Sequence, residues 1–153
     1  MPKLVPKDEL LQMAGQPLET SAWVKVNQER INLFADATDD HQFIHVDPER
    51  AAQTPFGSTI AHGFLTLSLL PHLAEETSVW PENTQMGINY GLNKVRFLQP
   101  VKAGSEVRLH SKIASVVEKR AGHLLITTEV QVEIKGEDKP ALLAETLALF
   151  ILA

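Results

Sequence analysis

The sequence predicts an α+β domain in which an antiparallel β-sheet wraps around a long central α-helix. The first half of the chain carries helical patterns, including one strongly apolar helix, and the second half carries four strand-like segments separated by proline and glycine turns. Strands and helices do not alternate and no glycine-rich phosphate loop is present, so a doubly wound nucleotide-binding domain is disfavoured.

The first half begins with a short helix predicted over residues 8–14 and an extended piece over residues 22–26. Asn27 can cap the next helix, in which apolar residues follow at helical spacing. We expect that helix to end in the polar run 38–41, whose side chains compete for backbone hydrogen bonds. Asp47, followed by proline, is a suitable start for a further short helix.

The apolar helix begins at His62 and Gly63 and is predicted to run toward Glu76, with a kink at Pro71. It follows a loop over residues 54–60 that contains proline and glycine. Because the helix is apolar nearly all round, we expect it to be buried on most sides.

The four strand segments are bounded by five turn residues, Pro100, Gly104, Gly122, Gly136 and Pro140. Residues 124–134 alternate between two faces, one apolar and one largely polar. Residues 141–152 are apolar on both faces, which predicts a central strand covered on both sides.

Length and composition indicate one globular domain over residues 1–153. The net charge of −5 argues against binding to nucleic acid or to an anionic membrane surface, since both require basic patches. The absence of cysteine excludes thiolate catalysis and cysteine-based metal sites. Because the chain has neither a convincing secretory signal nor an apolar stretch long enough to span a bilayer, it is predicted to be cytoplasmic.

Chemically active side chains are concentrated in residues 36–45, which hold three carboxylates and two histidines. One interpretation is a solvated turn with an aspartate cap. A second is a metal site formed by Asp40, His41 and His45, although no additional strong ligand is evident. A third is acid–base catalysis by Asp40 and His45 across an extended turn, because burial and neighbours can tune both side chains toward neutrality.

The run Thr38-Asp39-Asp40-His41-Gln42-Phe43-Ile44-His45 resembles the hydratase motif of MaoC-like dehydratases and (R)-specific enoyl-CoA hydratases, Ser-Gly-Asp-x-Asn-Pro-Ile/Leu-His. The catalytic aspartate of that motif falls on Asp40 and the catalytic histidine on His45. The similarity continues in three further blocks, residues 47–52, 60–65 and 93–107.

The resemblance implies a single hot-dog domain that forms a homodimer with its active sites at the interface. It also implies the addition of water to trans-2-enoyl-CoA to give (R)-3-hydroxyacyl-CoA, or the reverse dehydration. Coenzyme A or an acyl carrier would carry the substrate, and no metal or other cofactor is expected. Two other functions stay open, an acyl-CoA thioesterase of the same fold and a non-catalytic acyl-thioester-binding protein. The spacing of the Asp/His pair favours hydration.

By this resemblance, Asp40 and His45 are the catalytic residues, which would hold one water molecule and move its protons. Gly63 begins the central helix, where free backbone N–H groups and the helix dipole can form an oxyanion hole. Gln42 carries an amide able to orient His45 or the substrate.

Two further residues are weaker candidates for the site. Ser68 matches a serine near the active site of the family, but a hydroxyl bonded to its own helix backbone explains it equally well. For His62, a structural imidazole that braces the loop is favoured over a catalytic role.

Three positions depart from the family motif. Asp39 replaces glycine, Gln42 replaces asparagine and Phe43 replaces proline. Asp39 adds a second carboxylate beside the proposed catalytic one, and Phe43 gives up a fixed turn. The Asp/His pair is intact, so these changes affect the geometry expected for the turn and, with it, the substrate preference.

Overall fold

The computed structural model describes all 153 residues, which form six helices and seven strands. The helices are α1 (Lys7–Leu10), α2 (Gln28–Thr38), α3 (Phe43–Val46), α4 (Pro48–Ala51), α5 (Gly63–Ser68) and α6 (Leu70–Leu73). The strands are β1 (Lys3–Val5), β2 (Val24–Val26), β3 (Val79–Pro81), β4 (Thr84–Phe97), β5 (Ser105–Arg120), β6 (His123–Ile134) and β7 (Leu142–Leu152).

Five strands form one antiparallel sheet in the order β2-β5-β6-β7-β4. β5 and β6 form a hairpin, and its turn contains Gly122 at φ +76°, a conformation that glycine adopts without steric cost. Along β6, Val130 and Val132 are buried while Glu129 and Gln131 are exposed. The predicted α+β class is confirmed, and so is the alternation in the second half of this strand. In its first half, Leu125 and Thr127 of the face predicted to be polar are buried as well.

The central helix lies in the predicted place, where α5 and α6 pack on one face of the sheet. Leu65, Leu69 and Leu73 share a hydrophobic core with Val107 and Val132 of the sheet. Burial of these side chains removes apolar surface from water and holds the helices on the sheet. None of the helices in the structure combines the length and apolar character needed to cross a bilayer.

The central helix is shorter than predicted. It is interrupted at Leu69, and α6 ends at Leu73 instead of continuing to Glu76. Pro71 has no N–H to donate to the carbonyl four residues earlier, so the predicted kink becomes a break between α5 and α6. The expected burial on most sides fails at the first turn, where Phe64 is 68% exposed.

The N-terminal region differs from the sequence prediction in two ways. α1 spans only Lys7–Leu10, because turns follow it up to Gly15, which takes φ +87°. β1 and β3 form a separate parallel pair that joins residues 3–5 to residues 79–81. β1 and β3 were not predicted, because no local pattern indicates a pairing between segments so far apart in the sequence.

The two edges of the sheet differ in their cover. Along β5, the N–H of Gly15 donates to the carbonyl of Ile113 at 2.7 Å and the N–H of Leu18 to that of Ser111 at 2.9 Å. The N-terminal segment therefore covers this edge. β4 forms the opposite edge and pairs only with β7, so its outer backbone groups are free.

The last strand, β7, is buried on one face. Leu142 and Ala144 are buried in the core with the helices, whereas Leu143 between them is 39% exposed. The sequence predicts that both faces of this strand are covered. Within one chain this prediction is wrong, because α5 and α6 pack only on the face that carries Leu142 and Ala144.

The helix α2 begins at a capping side chain. The Asn27 side chain accepts a hydrogen bond from the backbone N–H of Arg30 at 2.9 Å, as the sequence predicts. We expect Asn27→Ala to lower the free energy of unfolding by about 1 kcal/mol, because that N–H loses its acceptor. Urea denaturation measures the change. Leu33→Ala, at an exposed position of the same helix, is the control and should change it by less than about 0.5 kcal/mol. Equal effects of the two substitutions would contradict the capping role.

Candidate active site

The motif segment consists of a helix end, a turn and one helical turn. α2 ends at Thr38, and Asp39 then adopts the left-handed conformation at φ 59°. The extended connection predicted between Asp40 and His45 is wrong in its second half. There α3 closes a helical turn, in which the N–H of Asp47 donates to the carbonyl of Phe43.

His45 is buried in α3, and its two ring nitrogens have different surroundings. Nδ1 lies 2.7 Å from the carbonyl oxygen of Ile60 and donates to it, which leaves the lone pair of the neutral ring on Nε2. Burial is the main cause that lowers the pKa of His45 below its ordinary value. The Ile60 carbonyl opposes this shift, His62 adds to it, and Asp40 opposes it. The ring can therefore accept a proton at Nε2.

Asp40 exposes its carboxylate next to this ring. The N–H of Gln42 donates to Oδ1 of Asp40 at 3.3 Å, and the main-chain carbonyl of Asp40 accepts Nε2–H of His62 at 3.0 Å. One carboxylate oxygen of Asp40 and one ring nitrogen from each of His45 and His62 lie within 4.8 Å of one another. The fold thus brings the predicted pair together with a second histidine.

His62 packs face to face on His45. The ring centroids are 3.9 Å apart and the planes are inclined by 24°, and the ring of Phe34 contacts His62 at 4.9 Å. Nδ1 of His62 is buried and has no hydrogen-bond partner. The bond to Asp40 agrees with the prediction of a bracing imidazole, but bracing alone does not account for the unpartnered Nδ1.

The arrangement of the rings is unsuited to a shared metal ion. A metal lies close to the plane of an imidazole, about 2 Å from its nitrogen. The planes of His45 and His62, inclined by 24° and stacked at 3.9 Å, meet well beyond that reach. His41 points elsewhere, with Nε2 lying 2.8 Å from a carboxylate oxygen of Asp36. The metal site considered from the sequence, with Asp40, His41 and His45 as ligands, is therefore not formed.

His45 lines a cavity of about 320 Å³ together with Gly63, Phe97 and Leu98. Gly63 and Phe64 begin α5, and their N–H groups have no backbone acceptor. A Cβ atom at position 63 would lie 3.2 Å from the ring of Phe97, so close packing also favours glycine there. The predicted helix start and the histidine thus face the same space.

The side chains of two other predicted site residues, Gln42 and Ser68, make no hydrogen bond to the pair. Ser68, at the end of α5, lines a different cavity of about 820 Å³ rather than the one that contains His45. Gln42 contributes its backbone N–H to Asp40, but its side chain makes no hydrogen bond to His45.

The sequence did not single out Gln28. Its Nε2 donates to the main-chain carbonyl of His45 at 2.7 Å, and the hydroxyl of Thr59 donates to its Oε1. Gln28 therefore joins the start of α2 to the helical turn that carries His45. The Asn27 cap predicts that Gln28 begins a helix, but no local pattern predicts a contact with a residue 17 positions away.

The lowered pKa of His45 predicts a titration by NMR. We expect its imidazole protons to change shift with a midpoint below about 6.5, the ordinary value for histidine, because burial disfavours the charged ring. Since the unfolded chain binds this proton more readily, His45 should make the free energy of unfolding fall as the pH drops below that value. His45→Gln assigns the resonance, and a midpoint at or above the ordinary value would contradict the burial effect.

Residues 9–137 match the MaoC-like domain family. The 3-hydroxyacyl-thioester dehydratase Z of Mycobacterium tuberculosis is 49% identical over 143 residues, which cover 94% of each chain. Nodulation protein N of Rhizobium leguminosarum bv. viciae is 51% identical over 144 residues, covering 88% of this chain and 84% of the relative. The unliganded R-hydratase PhaJ1 from Pseudomonas aeruginosa has a similar structure, with a TM-score of 0.71 and 23% identity over 92% of this chain and 83% of that one. The chain therefore belongs to the MaoC-like family and has its hot-dog fold.

Proposed function

We propose that this chain is an acyl-thioester hydratase and dehydratase, which adds water to a trans-2-enoyl thioester to give the (R)-3-hydroxyacyl thioester and catalyses the reverse reaction. The observation that carries the proposal is the grouping of the Asp40 carboxylate with a ring nitrogen of His45, a ring whose Nδ1 is held by Ile60 and whose Nε2 makes no hydrogen bond. It is supported by a relative that is named a 3-hydroxyacyl-thioester dehydratase and is 49% identical over 94% of this chain.

His45 acts as the base for water. Its Nδ1–H is held by the carbonyl of Ile60, so the lone pair on Nε2 takes a proton as the water oxygen attacks the β-carbon. The lowered pKa of His45 keeps the ring neutral near pH 7, as a base requires.

Asp40 holds the other side of the same water, and the pair returns one proton to the α-carbon. A C–O bond and a C–H bond replace the π bond, one O–H bond of water breaks, and both side chains end in their original protonation states. Because Asp40 and His45 act on one water from one side, hydrogen and hydroxyl reach the same face of the substrate.

The start of α5 stabilises the charge that develops between these two carbons. As water adds, negative charge moves to the thioester carbonyl oxygen. The N–H groups of Gly63 and Phe64 have no backbone acceptor, and Gly63 lines the cavity that contains His45. These donors bind the enolate oxygen within reach of the base.

The substrate is carried by coenzyme A or an acyl carrier protein. No metal or organic cofactor takes part, because this addition needs only proton transfer and a stabilised enolate oxygen. We place the enzyme in the cytoplasm, without a nucleic-acid or membrane partner.

Purified protein is expected to hydrate crotonyl-CoA, measured as loss of the ultraviolet absorbance of the enoyl thioester, and to keep its rate in EDTA. Asp40→Asn and His45→Gln should each lower kcat by about 10²–10⁴-fold, because each removes a proton-transfer group. Chiral analysis should identify the product as the (R)-3-hydroxy thioester.

His41→Gln is the matched control for that experiment, since His41 is exposed, adjacent in sequence and bonded to Asp36. Its rate should stay close to that of the unmodified protein. Release of free thiol without hydration would indicate a thioesterase, and binding without turnover a non-catalytic carrier. Unchanged rates in both Asp40→Asn and His45→Gln would overturn the proposal.

We also propose that two chains pair along β4 to form a homodimer. The outer edge of β4 has no partner, and its Met86, Ile88, Tyr90 and Leu92 are 41–61% exposed. A long apolar edge strand invites pairing with another strand, so natural proteins cover it. A second copy supplies a matching edge and would join two five-stranded sheets into one.

Light scattering at micromolar concentration should give the mass of a dimer. Tyr90→Lys is expected to shift the protein toward monomer, because it places a charge on the pairing edge. Leu33→Lys is the control, since Leu33 is similarly exposed at 63% but lies on α2, and this variant should stay dimeric. A monomeric unmodified protein would rule out the homodimer.

A further inference from the structure

We propose that His62 is a positioning residue for the Asp40–His45 pair. Its Nε2–H holds the main chain of Asp40 while its ring holds the face of His45, so one side chain sets the geometry of both groups. This inference rests on the proposed function, because it assigns a role within the same site.

Asp40 has few other restraints. Its side chain is exposed, and its carboxylate accepts one hydrogen bond, from Gln42 in the same turn at 3.3 Å. The bond from His62 to the Asp40 carbonyl is 3.0 Å long and comes from a residue 22 positions further along the chain. It therefore ties Asp40 directly to the start of α5, whereas the two bonds of Ile60 hold the later part of the turn.

The ring of His62 restrains His45 in a different way. The two imidazoles are stacked at 3.9 Å and inclined by 24°, which limits rotation of the His45 ring out of its plane. His62 is itself 3% exposed and contacts the ring of Phe34 at 4.9 Å, so it does not move freely. The bond from His45 to Ile60 and the stack on His62 together set the direction of the free Nε2.

The unpartnered Nδ1 of His62 argues against a purely structural role. A buried polar atom without a hydrogen bond is unfavourable, and an apolar ring would avoid that cost if packing were the only requirement. A histidine is needed here if the site requires both a flat ring against His45 and an N–H donor toward Asp40. Only the Nε2–H tautomer of the neutral ring meets both requirements.

His62 also acts electrostatically on His45, because a proton on one of two stacked imidazoles disfavours a proton on the other. Three groups face the His45 ring, and they are the imidazole of His62, the carboxylate of Asp40 and the carbonyl of Ile60. His62 contributes to the lowered pKa of His45, whereas the other two groups raise it. Removing His62 should therefore move the acidic limb of the pH profile of kcat/KM to higher pH.

Two substitutions separate the contacts of His62. His62→Phe keeps a flat ring but cannot donate to Asp40, and His62→Gln keeps a donor but has no ring. We expect His62→Phe to lower kcat for crotonyl-CoA by about 10–100-fold with KM changed less than about threefold, since the pair is misaligned rather than lost. His62→Gln should have a higher kcat than His62→Phe, because it keeps a donor. In both variants the acidic limb of the pH profile of kcat/KM should move to higher pH.

His72→Phe provides the control, because His72 lies on α6 with a side chain that is 52% exposed. It should leave kcat, KM and the pH profile unchanged. A structural role alone for His62 would lower activity only in proportion to the folded fraction, which circular dichroism measures, and would not move the pH limb. That result, or a folded His62→Phe variant with kcat within twofold of normal, would overturn the inference.

A variant that fails to fold does not remove the test. In His62→Gln, the NMR titration midpoint of His45 should rise, and an unchanged midpoint in both variants would count against the inference. The proposed function fails separately, because it requires Asp40→Asn and His45→Gln to lower kcat by about 10²–10⁴-fold. If Asp40→Asn and His45→Gln lose activity while His62→Phe stays normal, only the inference about His62 is rejected and the proposed function stands.

Discussion

The hydrogen bond from His45 to the carbonyl of Ile60 fixes the relation between the two parts of the site. Ile60 also donates its own N–H to the carbonyl of Ile44 at 3.0 Å. Two hydrogen bonds therefore join the motif turn to the stretch that leads into α5. Ala61 then donates to the carbonyl of Val101 at 2.7 Å, which ties the stretch to the loop that leads into β5. The turn of the motif, the start of α5 and the sheet are thus connected through two consecutive residues. The chemistry of His45 depends on this connection, because it decides which ring nitrogen is free.

Hydrophobic burial determines where that stretch lies. Each fully buried leucine of the central helix contributes roughly 1.5–3 kcal/mol, whereas one hydrogen bond contributes about 0.5–1.5 kcal/mol net. The core therefore positions α5, and the bonds of the turn adjust to it. Because Leu65 and Leu69 must face the sheet, the rotation of α5 about its axis is fixed. That rotation turns Gly63 and Thr66 toward the cavity that His45 also lines.

Local information in the sequence was sufficient for much of the fold. Period-two patterning predicted β6, apolar or β-branched stretches between turn residues predicted β5 and β7, and Asn27 marked the start of a helix whose capping bond is present. Contacts between distant residues have no such local signal, which is why the pairing of β1 with β3 and the bond from Gln28 to His45 were missed. The resemblance in the motif singled out Asp40 and His45. It did not predict the stack of His62 on His45, because that contact depends on the angle at which α5 meets the turn.

The three departures from the family motif fall on three local features of the turn. Asp39 holds the left-handed conformation, where glycine is less strained. Gln42 occupies the N-cap of α3 without a capping bond, where asparagine is preferred, and Phe43 takes the first helical position, where proline is preorganised. Each change weakens the turn's own conformational preference, so its shape depends more on contacts from outside. The bond from His62 and the guanidinium of Arg50, 4.2 Å from the centre of the Phe43 ring, are such contacts. The alignment of the Asp/His pair therefore follows the position of α5 as much as the motif itself.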